Sequence, residues 1–240
     1  MASAGESAPL GVGAQAGLSG AGAPQEPPLL RRERGARALS VAARLLAGAT
    51  TFFFLAFLFA YFYLRSIDQN HFWKPSAESL KEQGEVHVSL KPDQGIGVAF
   101  IVCIVLSVAL AILAGRQQQR SRPWVASAAG ALLLGLAAIA LQCIGFTVQD
   151  FGPTDGAYAS VFYSWMGFYL IAVLCTMYWL EIHVATELRE RRVPTAQGGE
   201  GVTAYEHPDR LLPRGLDAAV FYWGFLGAIG VVTYITLYLL

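Results

Sequence analysis

The residues through which this chain could bind a metal, ligate a haem or move a proton are its four histidines, three cysteines and scattered carboxylates. Their placement argues against most of that chemistry. His71, His87, His183 and His207 fall in polar stretches or at a helix end, and Cys103, Cys143 and Cys175 each fall in a different apolar run. No CxxC pair, P-loop, GxSxG or HExxH pattern occurs, so no thiol-based zinc site and no common hydrolase or nucleotide signature is written here. Haem ligation or a proton relay inside a membrane needs His or carboxylate side chains well within the apolar runs, and the middle of those runs carries none. Glu181 and His183 come nearest to one, but i and i+2 point to different faces of a helix. An interfacial cap is the expected role, ahead of proton handling. The cysteines read as small fillers in helix packing. Gln142 is the strongly polar side chain of its run, placed to bond across to another helix. Thr50, Thr51, Thr233 and Thr236 are expected to bond their own helix backbone.

The elements that position these residues follow from composition. Of 240 residues, 55% are hydrophobic and 14% charged, against ~25% charged in soluble domains. The charges gather between long uncharged runs, which is the pattern of membrane spans. Net charge is zero, so nothing favours a nucleic-acid partner. Spans are predicted at about 41–64, 95–115, 124–146, 157–180 and 217–240, each near the ~20 residues a bilayer needs. The organising stretch is 155–192. Its apolar part has Trp165 near one end and Tyr178 with Trp179 near the other, where amphipathic rings sit at headgroup level. Beyond them comes the charged tail from Glu181 to Arg192.

The first span carries aromatic side chains on every face, so much of it should meet lipid, with Arg65 snorkelling at its end. The second aligns Cys103, Ser107, Ala111 and Gly115 at four-residue spacing. The third has the pair Ala131 and Gly135, and the fifth has Gly224, Gly227 and Gly230. Small residues on one stripe let helices approach closely. Tyr222 with Trp223, and Tyr234 with Tyr238, mark the two ends of the fifth span. Residues 1–40 read as a disordered Ala/Gly/Pro-rich tail with a basic end, and 41–240 as one membrane domain. A secretory signal is not expected, since no apolar region precedes the basic cluster.

Every arginine except Arg65 lies before or at the entry to the first span, between the second and third, or between the fourth and fifth. The opposite side holds only Arg65, Lys74, Lys81 and Lys91. The positive-inside rule therefore places the N-terminus inside and the C-terminus outside. The expected location is a bacterial-type inner membrane.

Three blocks in order resemble subunit III of the haem–copper (cytochrome c) oxidase family. Residues 54–76, FLAFLFAYFYLRSIDQNHFWKPS, are similar to an aromatic helix ending in arginine, followed by a Trp-Pro loop. Residues 141–173 carry LQCIGF and then DGAYASVFYSWMGFYLIAV, similar to a helix-borne glutamine, an acidic loop and VFY before a Gly-Phe pair. Residues 219–240, AVFYWGFLGAIGVVTYITLYLL, are similar to the closing YWHFVD helix. The resemblance covers about 41–240 and implies the short five-helix, all-α form. It implies a non-catalytic subunit of a respiratory complex, with haem and copper in a partner catalytic subunit that reduces oxygen. It also implies bound phospholipid and contact with other subunits, and no cofactor or metal in this chain. Arg65, Trp73, Gln142, Trp165, Tyr169, Trp223, Gly224 and Gly227 are the candidate lipid- or partner-contacting positions. The chain departs from the family pattern wherever that pattern is ionisable. Gly48, Ala49, Thr50 and Thr51 stand where a membrane glutamate is usual, and Gly145 stands at a second such site. Tyr169 and Ala172 replace histidines, and Gly224 and Gly227 replace the closing histidine and aspartate. A structural role without proton carriage is therefore expected. A nitric oxide reductase-type complex, a small transporter and a scaffold protein are the alternative settings.

The orientation has a direct test. A reporter fused after Leu240 should read as external and one inserted near Gln118 as cytoplasmic; the reverse pair of signals overturns the arginine count as a guide.

Overall fold

The computed structural model describes residues 28–68, 73, 90–192 and 215–240, and side chains for 37–68, 73, 90–189 and 215–240. These residues form helices α1 (Pro28–Ile67), α2 (Gln94–Gln119), α3 (Val125–Val148), α4 (Ala157–Arg192) and α5 (Gly215–Tyr234), the last continuing as a π-helical turn, Ile235–Leu239. No strand occurs among them. Each of the five contains a stretch long and apolar enough to cross a membrane: Arg37–Ile67, Gln94–Gln119, Val125–Val148, Ala157–Arg189 and Gly215–Leu239. The described residues are all-α, with the five apolar helices of a multi-pass membrane protein. It divides into two units, Met1–Gly35 and Ala36–Leu240. Of the first, only the opening turns of α1 are described; the spans belong to the second. The tail before Pro28, the loop histidines His71, His87 and His207, and most of the two long loops lie outside the described residues.

Two helices outrun the predicted spans. α1 starts at Pro28, so residues 28–40, expected as tail, are helical. The local reason is a proline at the first helical position followed by Leu, Arg and Glu, which are good helix formers. Averaging over an Ala/Gly/Pro-rich region conceals that change. α4 continues to Arg192 because, beyond the predicted span end at 180, neither Gly nor Pro occurs before Pro194. At 1.5 Å per residue its 36 residues measure roughly 54 Å. Hydrocarbon is only ~30 Å thick, so the charged end projects well beyond it.

Burial along the helices follows a spacing of three and four. On α2 the inward residues are Gly97, Phe100, Ile104, Ser107, Ala111, Ala114 and Gln118. On α3 they are Ala128, Ala131, Gly135, Ala138, Gln142 and Gly145, small at every position but one. This is the coiled-coil seam, and it explains why α2 and α3 make the closest helix pair. Cys103, expected on the α2 stripe, lies only at its flank, because a strict four-residue step drifts off the seam. α2 also packs on α5, α3 on α4, and α4 on α5, which closes a four-helix ring. α4 is buried along two seams, through Tyr158, Phe162, Trp165 and Tyr169 and through Ala159, Met166, Leu170 and Met177. α1 keeps its backbone farther away and meets the ring through Ala43, Ala47, Thr50, Phe54 and Tyr61. Its other faces expose Phe52, Phe53, Phe59 and Phe62, consistent with a lipid-facing helix.

The α2–α3 turn is a Schellman motif. Arg122 N–H donates to the Gln117 carbonyl at 2.9 Å, and Ser121 N–H donates to the Gln118 carbonyl at 3.0 Å. Ser121 takes the left-handed position with φ 52°, where glycine is usual. Ser127 Oγ donates to Gln117 Oε1 at 2.7 Å and ties the hairpin from the other side. At the start of α2, Asp93 caps the helix by accepting from Ile96 N–H at 3.1 Å.

Glycines mark the closest approaches. A Cβ on Gly227 would meet Val108 Cγ2 of α2 at 2.6 Å; one on Gly230 would collide with the Tyr169 hydroxyl, and one on Gly135 with the Met177 thioether. Gly224 has nothing within 4 Å, so the expected three-residue strip holds only at Gly227 and Gly230. A three-residue step rotates around the helix and leaves the interface. Gly227→Leu should cost on the order of 1–3 kcal/mol by overpacking, seen as a lower unfolding temperature in detergent. Gly224→Ala and Leu239→Ala should leave that temperature nearly unchanged.

Candidate functional site

The residues singled out in the sequence converge on the side chains that join α4 to α5 and α1. Trp165 Nε1 donates to Thr233 Oγ1 at 3.0 Å. One turn on, Tyr169 Oη donates to the Leu226 carbonyl at 3.0 Å. Near the start of α4, Tyr158 Oη donates to the Leu237 carbonyl at 2.7 Å. Gln94 Nε2 donates to the Tyr238 carbonyl at 2.7 Å. The last carbonyls of a helix lack intrahelical partners, and here Tyr158 and Gln94 supply them. On the other side of the ring, Trp223 Nε1 donates to Ser107 Oγ at 3.1 Å, and Ser107 Oγ donates onward to the Ala131 carbonyl at 2.5 Å. That relay joins α5, α2 and α3. Thr50 Oγ1 and Tyr222 Oη share a bond of 2.9 Å, which ties α1 to α5.

Aromatic rings complete the seam. Phe54 lies 5.5 Å from Phe168 and 6.0 Å from Tyr169, both edge-on, and Phe57 stacks on Trp165 at 6.1 Å. Trp73 enters between α1 and α4, edge-on to Tyr61 at 5.1 Å and to Tyr158 at 5.7 Å. Its backbone N–H donates to Asp68 Oδ2 at 2.7 Å, which fixes the approach. Beyond it, Phe162 lies between Phe151 and Tyr238, each at 5.6 Å. Such ring pairs contribute roughly 0.5–1.5 kcal/mol beyond their burial.

The candidate positions divide cleanly. Trp73, Gln142, Trp165, Tyr169, Trp223 and Gly227 are buried within the chain, Arg65 is exposed and Gly224 half-buried. Trp165, expected at headgroup level, is an interior donor because it lies eight residues inside α4, roughly 12 Å along the axis. Trp223 is interior in the same way. Thr50 and Thr233 bond across helices, against expectation, whereas Thr51 bonds its own backbone at Ala47 O, 2.8 Å away. Gln142 Oε1 accepts from Tyr238 Oη at 3.4 Å, long for this type of bond, and its Nε2 finds no partner. Among the described residues, Tyr61 Oη and Trp73 Nε1 are likewise buried without a conventional partner. For Trp73 the edge-on rings of Tyr61 and Tyr158 offer a weaker π acceptor.

The other expected roles change. Cys143 and Cys175 face outward and only Cys103 fills space. Neither Glu181 nor His183 caps α4, which runs on past both. Glu181 is exposed, and the His183 ring packs against Gly215 at the start of α5. Among the described residues no three His, Cys, Asp or Glu side chains gather in a metal-binding group. Among the described residues, the arrangement joins helices through neutral donors held on hydroxyls and carbonyls.

Compared with known proteins, the chain matches no family model and no curated sequence.

The Trp165–Thr233 bond can be isolated by a double-mutant cycle of Trp165→Phe and Thr233→Val. The coupling energy in lipid should be about 0.6 kcal/mol and no more than ~1.7 kcal/mol. A coupling of zero would mean the two helices are held by packing alone.

Proposed function

We propose that this chain is a non-catalytic, subunit III-like component of a respiratory haem–copper oxidase. It packs against the catalytic subunit, organises lipid around it and protects it during turnover. The observation that supports this reading is that the three resembling blocks, far apart in sequence, pack on one another in space. Phe54 and Trp73 of the first meet Trp165, Tyr169 and Tyr158 of the second. Those in turn donate to Thr233, Leu226 and Leu237 of the third. Residues kept together by contact are expected to be kept together as sequence blocks, so the resemblance and the packing support each other.

The role follows from what fills the interior. Thr50 is occupied by Tyr222, and Gly145 has no side chain to offer. Hydroxyls at such sites cannot take up and release a proton near neutral pH. The chain therefore serves stability and lipid order, with oxygen chemistry and proton movement left to the partner that holds haem and copper. The arginine distribution supports an N-inside orientation in a bacterial-type inner membrane, with α1 and α4 projecting to the inner side.

Deleting the chain should shorten the working life of the complex during turnover while leaving its initial proton-pumping ratio unchanged. An immediate fall in that ratio, in otherwise intact complex, contradicts the proposal.

A further inference from the structure

The uncovered face of α2 is branched and apolar, as lipid contact requires, through Val98, Val102 and Val105. The uncovered face of α4 is built differently. It is bounded by Phe168, which stacks on Phe53 of α1 at 5.1 Å, and by Tyr163, which stacks on Phe146 of α3 at 5.1 Å. Between them its outer half presents Ser160, Ser164 and Gly167, and a Cβ on Gly167 would meet nothing within 4 Å. Its middle presents Ile171, Leu174 and Tyr178, and its inner end Glu181, Ala185 and Leu188. From Ser164 onward the spacing alternates between three and four, which is the seam of one helix against another. Lipid does not account for the inner end. The predicted span stops at 180, and Leu188 lies roughly 12 Å farther along the axis. Ile182 and Leu188 are nonetheless 45% and 41% exposed. A seam that carries apolar side chains out of hydrocarbon and into water marks contact with protein.

We propose that this face of α4 docks one spanning helix of a partner protein, a helix that runs on past the membrane on the inner side and sets a Lys or Arg beside Glu181. Charge selects that occupant. Along the seam Glu181 is the one charged residue, at the inner headgroup level. A second copy of this chain would bring Glu181 against its own counterpart, a like-charge contact that disfavours self-association. A spanning helix of another protein supplies the opposite charge at that depth, because basic residues gather at the inner ends of spans. Farther out, Ser160, Ser164 and Gly167 let the partner's backbone come close. The docking face rests on the subunit role above only in supposing a partner, so it stands whichever complex supplies that helix.

Photo-crosslinking in the native membrane tests it, with benzoylphenylalanine placed singly in the full chain. At Ile171, Leu174, Tyr178 and Leu188 it should capture one and the same membrane polypeptide. The captured peptide, sequenced, should lie in a spanning helix with Lys or Arg at its inner end. At Val102 and Val105 of α2 it should give lipid adducts only. Glu181→Lys should lower the adduct at Ile171 several-fold, and so should Leu188→Asp, which lies beyond hydrocarbon and leaves insertion unburdened. Lipid adducts alone along the α4 seam overturn the proposal, as do adducts with a second copy of this chain or with a peptide outside any spanning helix. A yield that neither substitution lowers overturns it too. A captured helix from a protein without haem supports this docking face and contradicts the oxidase reading, so the two failures are told apart.

Discussion

A buried indole or phenol in hydrocarbon has no water to bond, and this constraint shapes the whole bundle. Lipid tails are as apolar as leucine, so burying apolar surface between helices gains little, and association depends on close packing and on hydrogen bonds made across the interface. The donors on α4 supply both. Trp165, Tyr169 and Tyr158 each reach an oxygen of α5 or its π-helical end, and their rings form the surface on which α1 rests. Removing those oxygens would leave large neutral donors stranded in a medium that cannot compensate them.

The remainder of the ring follows from side-chain size. On α3 the seam is alanine and glycine except at Gln142, so α2 can approach until backbone nearly meets backbone. On α5 the glycines at 227 and 230 admit Val108 and the Tyr169 hydroxyl. The two kinds of contact divide the work: small residues set how close the helices come, and directional bonds set their register. α1 shares only the second kind. Aromatic contacts and the Thr50–Tyr222 bond hold it, which leaves its outer face free for lipid or a partner.

Much of this was legible in the sequence because it is local. Span number, the small-residue contacts at Ala131 and Gly135, and the interhelical role of Gln142 all follow from runs and spacing within single helices. What was hidden is non-local. A threonine bonds its own carbonyl or a neighbour's indole according to which helix faces it, and Thr51 and Thr233 differ only in that. A tryptophan near the end of an apolar run reads as an interfacial anchor, yet Trp165 and Trp223 lie deep enough to be interior donors. Helix ends beyond the membrane escaped for another reason: hydropathy marks where hydrocarbon stops, whereas α4 stops where its helix formers do.

The account of function stands or falls on what surrounds the chain. Its interior carries neutral donors, small residues and rings, an assembly suited to holding a shape beside a catalytic neighbour. The most direct measurement is gentle detergent purification from the native membrane by a tag on this chain, with visible spectra and masses of everything retained. The account predicts haem absorption in fixed proportion to the chain, together with a large copper-containing membrane subunit. A homogeneous chain recovered free of haem and of any such partner, from membranes that keep their oxidase intact, would contradict it.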